Sequence, residues 1–408
     1  MPHERLERRL AEQLHALRET GRAKGKETVV AGVVPPIDGK GPRYRLDGEG
    51  DKPFLRMNSN GYLGLATDRE VIAAEEKAVR DMGTGPGAVR FISGTWAPHV
   101  ALEERLARFH DREAAMIFSS AYATIMGVLP SLITSETAVI SDALNHNCII
   151  NAMRLARPKE KHVYAHLDLG ELEDCLTQAS AACARAIVVT DGIFSMRGDH
   201  APLDRIVEVA RAYDDRFAEN VIVIADDSHG VGAFGETGRG TEEYTESPPV
   251  DILVATLGKA FGVNGGYVTA GGTVIEFLRE TSPFYIYSNP ITCGEAAAAL
   301  AAVDTVDSER GRTLLDHLRT MTARFEAGLG QLGLETIPGE HPVVPLMVRD
   351  TEKTAALVRH LRDNGILATG LNFPVVPKGD EEIRFQISAD HTEADIDEAL
   401  AVLAGWSG

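Results

Sequence analysis

From about residue 54 onward the chain alternates short apolar runs with stretches in which apolar residues recur every three or four positions. The runs at 115–118, 138–140, 162–165, 186–189, 221–225, 252–255 and 266–270 read as strands. Between them, stretches such as 98–109 and 202–213 carry the helical period. These runs are apolar on both faces rather than alternating. Such strands, interleaved with helices, predict an α/β fold around a largely parallel sheet. The pattern changes near Pro290. Residues 291–324 form a long alanine-rich helical stretch, followed by short strands at 343–348, 366–369 and 383–387 and a closing helix capped by Thr392. That is the pattern of a smaller α+β domain. Upstream, Leu6, Leu10, Leu14 and Leu17 put an apolar stripe on a helix over 4–20, and the Gly/Pro-rich stretch 32–43 reads as a connector. The expected division is 1–50 for this helix and connector, 51–290 for the large α/β domain and 291–408 for the C-terminal domain.

Charge narrows the partners. Lys and Arg number 41 against 60 Asp and Glu, a net charge of −19, which repels nucleic acid and anionic membranes. No apolar run approaches the ~18 residues of a membrane span. The mixed charges at the start, His3-Glu4-Arg5, do not suit a secretion signal. The four cysteines include no closely spaced pair, so no zinc site is expected and reduced thiols in a cytoplasmic protein are.

Candidate chemistry sits where the apolar runs end. Lys259 follows 252–255 in Ala255-Thr256-Leu257-Gly258-Lys259-Ala260, with the glycine-rich stretch Gly262 to Gly266 behind it. A lysine hemmed in by small residues past a buried strand can be desolvated. Desolvation lowers its pKa and frees a neutral amine for imine chemistry. Thr256 offers a hydroxyl to a phosphate, and together these suit pyridoxal 5'-phosphate (PLP). Asp226, at the end of 221–225, could pair with a protonated pyridine nitrogen, and His229 could reach the ring oxygen or the substrate; an Asp/His turn capping the next segment fits the same residues. Ser119-Ser120-Ala121-Tyr122 opens a helix whose free amides suit a phosphate, or Ser120 simply caps it. His146 could stack on a flat cofactor or be held within the fold. Ser195 follows another strand, and Arg384 lies on a short one, where its planar fork could grip a carboxylate or face solvent.

These motifs, in this order over about 45–400, resemble the α-oxoamine synthases, PLP enzymes of fold type I. Within the family the likeness to glycine C-acetyltransferases is carried by Val89 to Thr95, Ser141 to His146, Asp191 to Met196 and Pro374 to Gly379. The resemblance implies a mostly parallel seven-stranded sheet in the large domain, PLP as cofactor, and a homodimer with shared active sites. It implies that Lys259 binds PLP covalently, Asp226 holds the ring nitrogen, His229 the ring oxygen, and His146 stacks on the ring. Amides of Ala121 and Tyr122 and the Thr256 hydroxyl would take the phosphate, with Ser288 and Asn289 serving the neighbouring subunit's phosphate site. Ser195 would support the ring and Arg384 would take the amino-acid carboxylate. The implied reaction joins glycine to acetyl-CoA, giving 2-amino-3-oxobutyrate and CoA. The alternative is another α-oxoamine synthase, like 8-amino-7-oxononanoate synthase or serine palmitoyltransferase, with a different amino acid or a longer acyl-CoA. One position departs: Gly61 stands where family members carry Asn or Asp beside the substrate carboxylate.

Overall fold

The computed structural model describes residues 3–20, 22–23, 25–373 and 375–407. Pro374, in one of the motifs above, lies outside them, as do Met1 and Pro2. The apolar runs become one seven-stranded sheet. In spatial order its strands are Ala114–Phe118, Gly266–Ala270, Ile252–Thr256, Val221–Asp226, Arg185–Asp191, Thr137–Asp142 and Glu160–Tyr164. Only Gly266–Ala270 runs against its neighbours. The remaining pairs are parallel.

Both sheet faces are buried, which is why the runs lack polar alternation. Val188, Val223 and Ala225 enter one apolar core, while Ile187, Val189 and Ile224 enter the other. Successive side chains of a strand point to opposite faces, so a single run feeds both cores. Burying each such valine or isoleucine side chain is worth about 1.5–3 kcal/mol, and this sets the register.

The smaller C-terminal domain carries an antiparallel three-stranded sheet of Val343–Met347, Glu382–Gln386 and Thr369–Leu371. Three sequence expectations are corrected. The stretch 32–43 is not only a connector. It contains part of strand Val30–Val34, which pairs with Arg43–Leu46 and, through Pro53–Arg56, joins Ile366–Leu367 in a four-stranded sheet. The helical stretch 291–324 is two helices, Cys293–Val306 and Glu309–Gln331. The chain breaks at Asp307-Ser308, where the Ser308 side chain accepts from the Gly311 amide at 3.3 Å and caps the second helix. The run 366–369 splits between two sheets. The N-terminal helix, Glu4–Glu19, forms as expected, but Leu6, Leu10 and Leu14 stay exposed on the single chain.

Candidate active site

Four adjacent parallel strands, Ile252–Thr256, Val221–Asp226, Arg185–Asp191 and Thr137–Asp142, end side by side. The segments that follow them carry Lys259, His229, Ser195 and His146. Their side chains line one cleft, at the carboxyl edge where ligands gather in such sheets.

Lys259 is the electrostatic centre of the cleft. Burial outweighs the attraction of Asp226 and Asp191 and lowers its pKa from 10.5 to about 8. Asp226 is buried and held by Ser228, whose hydroxyl donates to Oδ1 at 2.6 Å and whose amide donates to the same oxygen at 3.2 Å. Its Oδ2 lies 3.6 Å from the Cys148 sulfur. That thiol is pushed up by burial and then by Asp226 and Asp191, so it stays protonated beside them. His229 Nδ1 lies 2.7 Å from the Tyr62 hydroxyl. Burial, with Lys259 second, drives the His229 pKa far below the usual range, and a neutral imidazole results. His146 caps helix Asn147–Ala156, and burial lowers its pKa too. Its amide donates to Asp191 Oδ2 at 3.0 Å, and the Tyr122 ring meets its ring edge-on at 6.4 Å between centroids.

The cleft has a candidate anion cradle at a helix N-terminus. Helix Ala121–Leu132 is capped by Ser120, whose hydroxyl accepts from the Ala123 amide at 3.1 Å. The amides of Ala121 and Tyr122 precede that bond and have no acceptor within the helix. Gly266 keeps this end open: a Cβ there would sit 2.2 Å from the Ala121 nitrogen. Two buried polar atoms, Asp191 Oδ1 and Arg384 Nε, also lack partners among the described residues. An aldehyde-reactive amine, an acid for a ring nitrogen, an anion cradle and unpartnered polar atoms fit PLP. Gly266→Ala should therefore weaken PLP binding by about tenfold or more, since overpacking costs about 1–3 kcal/mol. Fluorescence titration of the apoprotein reads the change directly.

Lys259, Asp226, His229, His146, Ser195, Ala121 and Tyr122 thus meet in one place. Arg384 approaches from the small domain, with Nη1 donating to the Ser195 carbonyl at 2.9 Å. Thr256 does not line the cleft, and its hydroxyl already donates to the Gly265 carbonyl at 3.1 Å. Ser288 and Asn289 follow the short helix Pro283–Ile286 and do not line their own chain's cleft. Sequence reasoning missed Asp191, Cys148 and Tyr62. Asp191 could have been found, because it ends a strand just as Asp226 does; it is buried, and burial with the nearby Asp226 raises its pKa well above the usual value. Tyr62 had no local signal, since its partner lies far along the chain.

Comparison with known proteins agrees with this geometry. The family model described as aminotransferase class I and II matches residues 52–403. The chain is 37% identical to 8-amino-7-oxononanoate synthase of Geobacter sulfurreducens over 398 residues, covering 97% of each. It is 36% identical to the mitochondrial 2-amino-3-ketobutyrate coenzyme A ligase of Bos taurus over 393 residues, 96% of this chain and 90% of that one. Serine palmitoyltransferase of Sphingomonas wittichii superposes with a TM-score of 0.88 at 25% identity, over 99% of this chain and 98% of that one. A serine palmitoyltransferase structure holding PLP gives 0.84 at 25% identity, over 97% and 96%.

Proposed function

Because the chain belongs to the aminotransferase class I and II family and to its α-oxoamine synthases, with PLP as cofactor, we propose that it joins a small α-amino acid to an acyl-CoA. Among the relatives of highest similarity, most are 8-amino-7-oxononanoate synthases. That favours a donor other than glycine, or an acyl chain longer than acetyl. Glycine with acetyl-CoA is the second reading, favoured by the bovine relative. In either case a second copy of the chain would bring Ser288 and Asn289 to the phosphate.

The observation that carries the proposal is the Lys259 amine, lowered to about 8 among Asp226, Asp191 and His229. PLP, when bound, supplies an electron sink for the donor's α-carbon. Asp226 would hold the ring nitrogen's positive charge, and His146 would pack on the ring. Arg384 would grip the donor's carboxylate, leaving the α-hydrogen within reach of the neutral Lys259 amine, which takes it as a base. A bond then forms from the α-carbon to the acyl carbonyl carbon, the carbon–sulfur bond breaks, and CoA leaves with a proton. Donors that also lose their carboxylate release it as CO₂, and the electron pair left on the α-carbon takes up a proton. The test crosses glycine, alanine and serine with acetyl-CoA and longer acyl-CoAs and follows CoA release. Amino-group transfer independent of any thioester would replace the proposal with an aminotransferase.

Arg384→Ala should raise KM for the amino acid by about tenfold to a hundredfold and leave KM for the thioester nearly unchanged. A charge-assisted hydrogen bond is worth about 1.5–3 kcal/mol, and only the donor carries the carboxylate. Arg384→Lys should recover little, because a single ammonium cannot reproduce the fork. Steady-state kinetics with each substrate varied in turn gives the answer.

A further inference from the structure

His166 does not line the cleft, yet its ring joins two of the loops that do. It follows strand Glu160–Tyr164, with a side chain only 18% exposed. Its Nδ1 lies 3.0 and 3.2 Å from the two carboxylate oxygens of Asp142, and its Nε2 lies 3.2 Å from Asp199 Oδ2. Both nitrogens face acceptors, so both carry protons and the ring is an imidazolium. Burial opposes that charge, but the hydrogen bonds to Asp142 and Asp199 outweigh it and raise the pKa to about 9.

Each carboxylate is tied in turn to a cleft loop. Asp142 ends its strand, accepts from the Leu144 amide at 2.8 Å, and is followed within four residues by His146. Asp199 closes the turn that contains Ser195: its carbonyl accepts from the Phe194 amide at 2.9 Å, and its carboxylate from Arg197 Nε at 2.7 Å. The Phe194 ring meets His166 edge-on at 4.4 Å. The Ser195 carbonyl is the group that receives the Arg384 guanidinium.

We propose that His166 is a positioning residue, whose charged ring clamps the Ser195 turn to the loop bearing His146 and so holds Arg384 in place to meet a carboxylate. The last step rests on the active-site reading above; the clamp itself does not. The charged groups that act on it are Asp142 from its strand and Asp199 from the turn, and Asp199 is in turn paired with Arg197 and felt by the buried Glu382 on the Arg384 strand. Glu382 is pushed up to about 8 by burial and senses both Arg197 and Asp199, so it adds a titration of its own. The step that belongs to His166 is the part that disappears when the imidazole is removed.

The test is amide hydrogen exchange of residues 192–200 in the PLP-loaded protein, from pH 6 to 10 and relative to intrinsic rates. In the wild type, protection should be full near pH 6 and fall as pH rises through about 9, where the ring loses its charge. His166→Gln should lose about tenfold of the protection at pH 7 and show no such fall, the scale of one charge-assisted hydrogen bond. Its amino-acid KM should rise while its thioester KM holds. Asp199→Asn keeps the Asp142 pair but weakens the carboxylate's ties to both His166 and Arg197, so if the glutamine variant fails to fold it is read against Arg197→Gln, which cuts only the second tie and should keep the protection. Unchanged protection in His166→Gln or Asp199→Asn at pH 7 overturns the clamp, and so does a parallel rise in both KM values. Exchange needs no substrate, so a wild type without thioester-dependent turnover would sink the acyltransfer reading alone.

Discussion

Lys259→Ala should lower turnover by about 10²–10⁴-fold or more, because it removes a general base and the covalent hold on the cofactor together. The wild-type amine is lowered from 10.5 to about 8, with burial as the main cause. At pH 7 about one amine in ten is then neutral, against about one in three thousand for an ordinary lysine, since each pKa unit is a factor of ten. Only the neutral amine attacks an aldehyde. The apoprotein should therefore capture PLP about tenfold faster per pH unit up to pH 8 and level off above it. Borohydride treatment of the loaded protein followed by peptide mapping should find the pyridoxyl group on Lys259. A label on another lysine, or an alanine variant that turns over normally, would rule out this role.

Asp226→Asn is expected to have the next largest effect, about a 10²-fold loss in kcat. The substitution keeps the shape but removes the charge that would stabilise a protonated ring nitrogen, an interaction worth about 1.5–3 kcal/mol as a charge-assisted hydrogen bond. Ser228 holds one Asp226 oxygen by two hydrogen bonds, so an amide should sit in nearly the same place. Loss of rate with an intact fold then reports charge rather than position. Thermal unfolding and kcat measured on the same preparation separate the two. A variant with wild-type kcat would remove Asp226 from the chemistry.

Much of the large domain was legible because a parallel sheet buried on both faces demands continuous apolar runs. The matching strands begin within a few residues of the expected positions, and the least accurate is the edge strand Glu160–Tyr164, whose charged Glu160 and Lys161 disguise its start. Elements that depend on distant partners were not legible. Nothing local shows that Val30–Val34 belongs to a sheet completed by Ile366–Leu367. Nor does an alanine-rich composition reveal the break at Asp307-Ser308.

By itself, the sequence determined which residues stand at the ends of the buried strands: Lys259, Asp226, Ser195 and His146 each follow an apolar run, and a polar group there must face the ligand edge. Tertiary structure alone decided their charge states and their partners. Tyr62 reaches His229, His166 bridges Asp142 and Asp199, and Arg384 meets Ser195 from another domain. Desolvation and Coulomb attraction act through space over a few ångströms, and the groups that exert them lie tens to hundreds of residues apart along the chain.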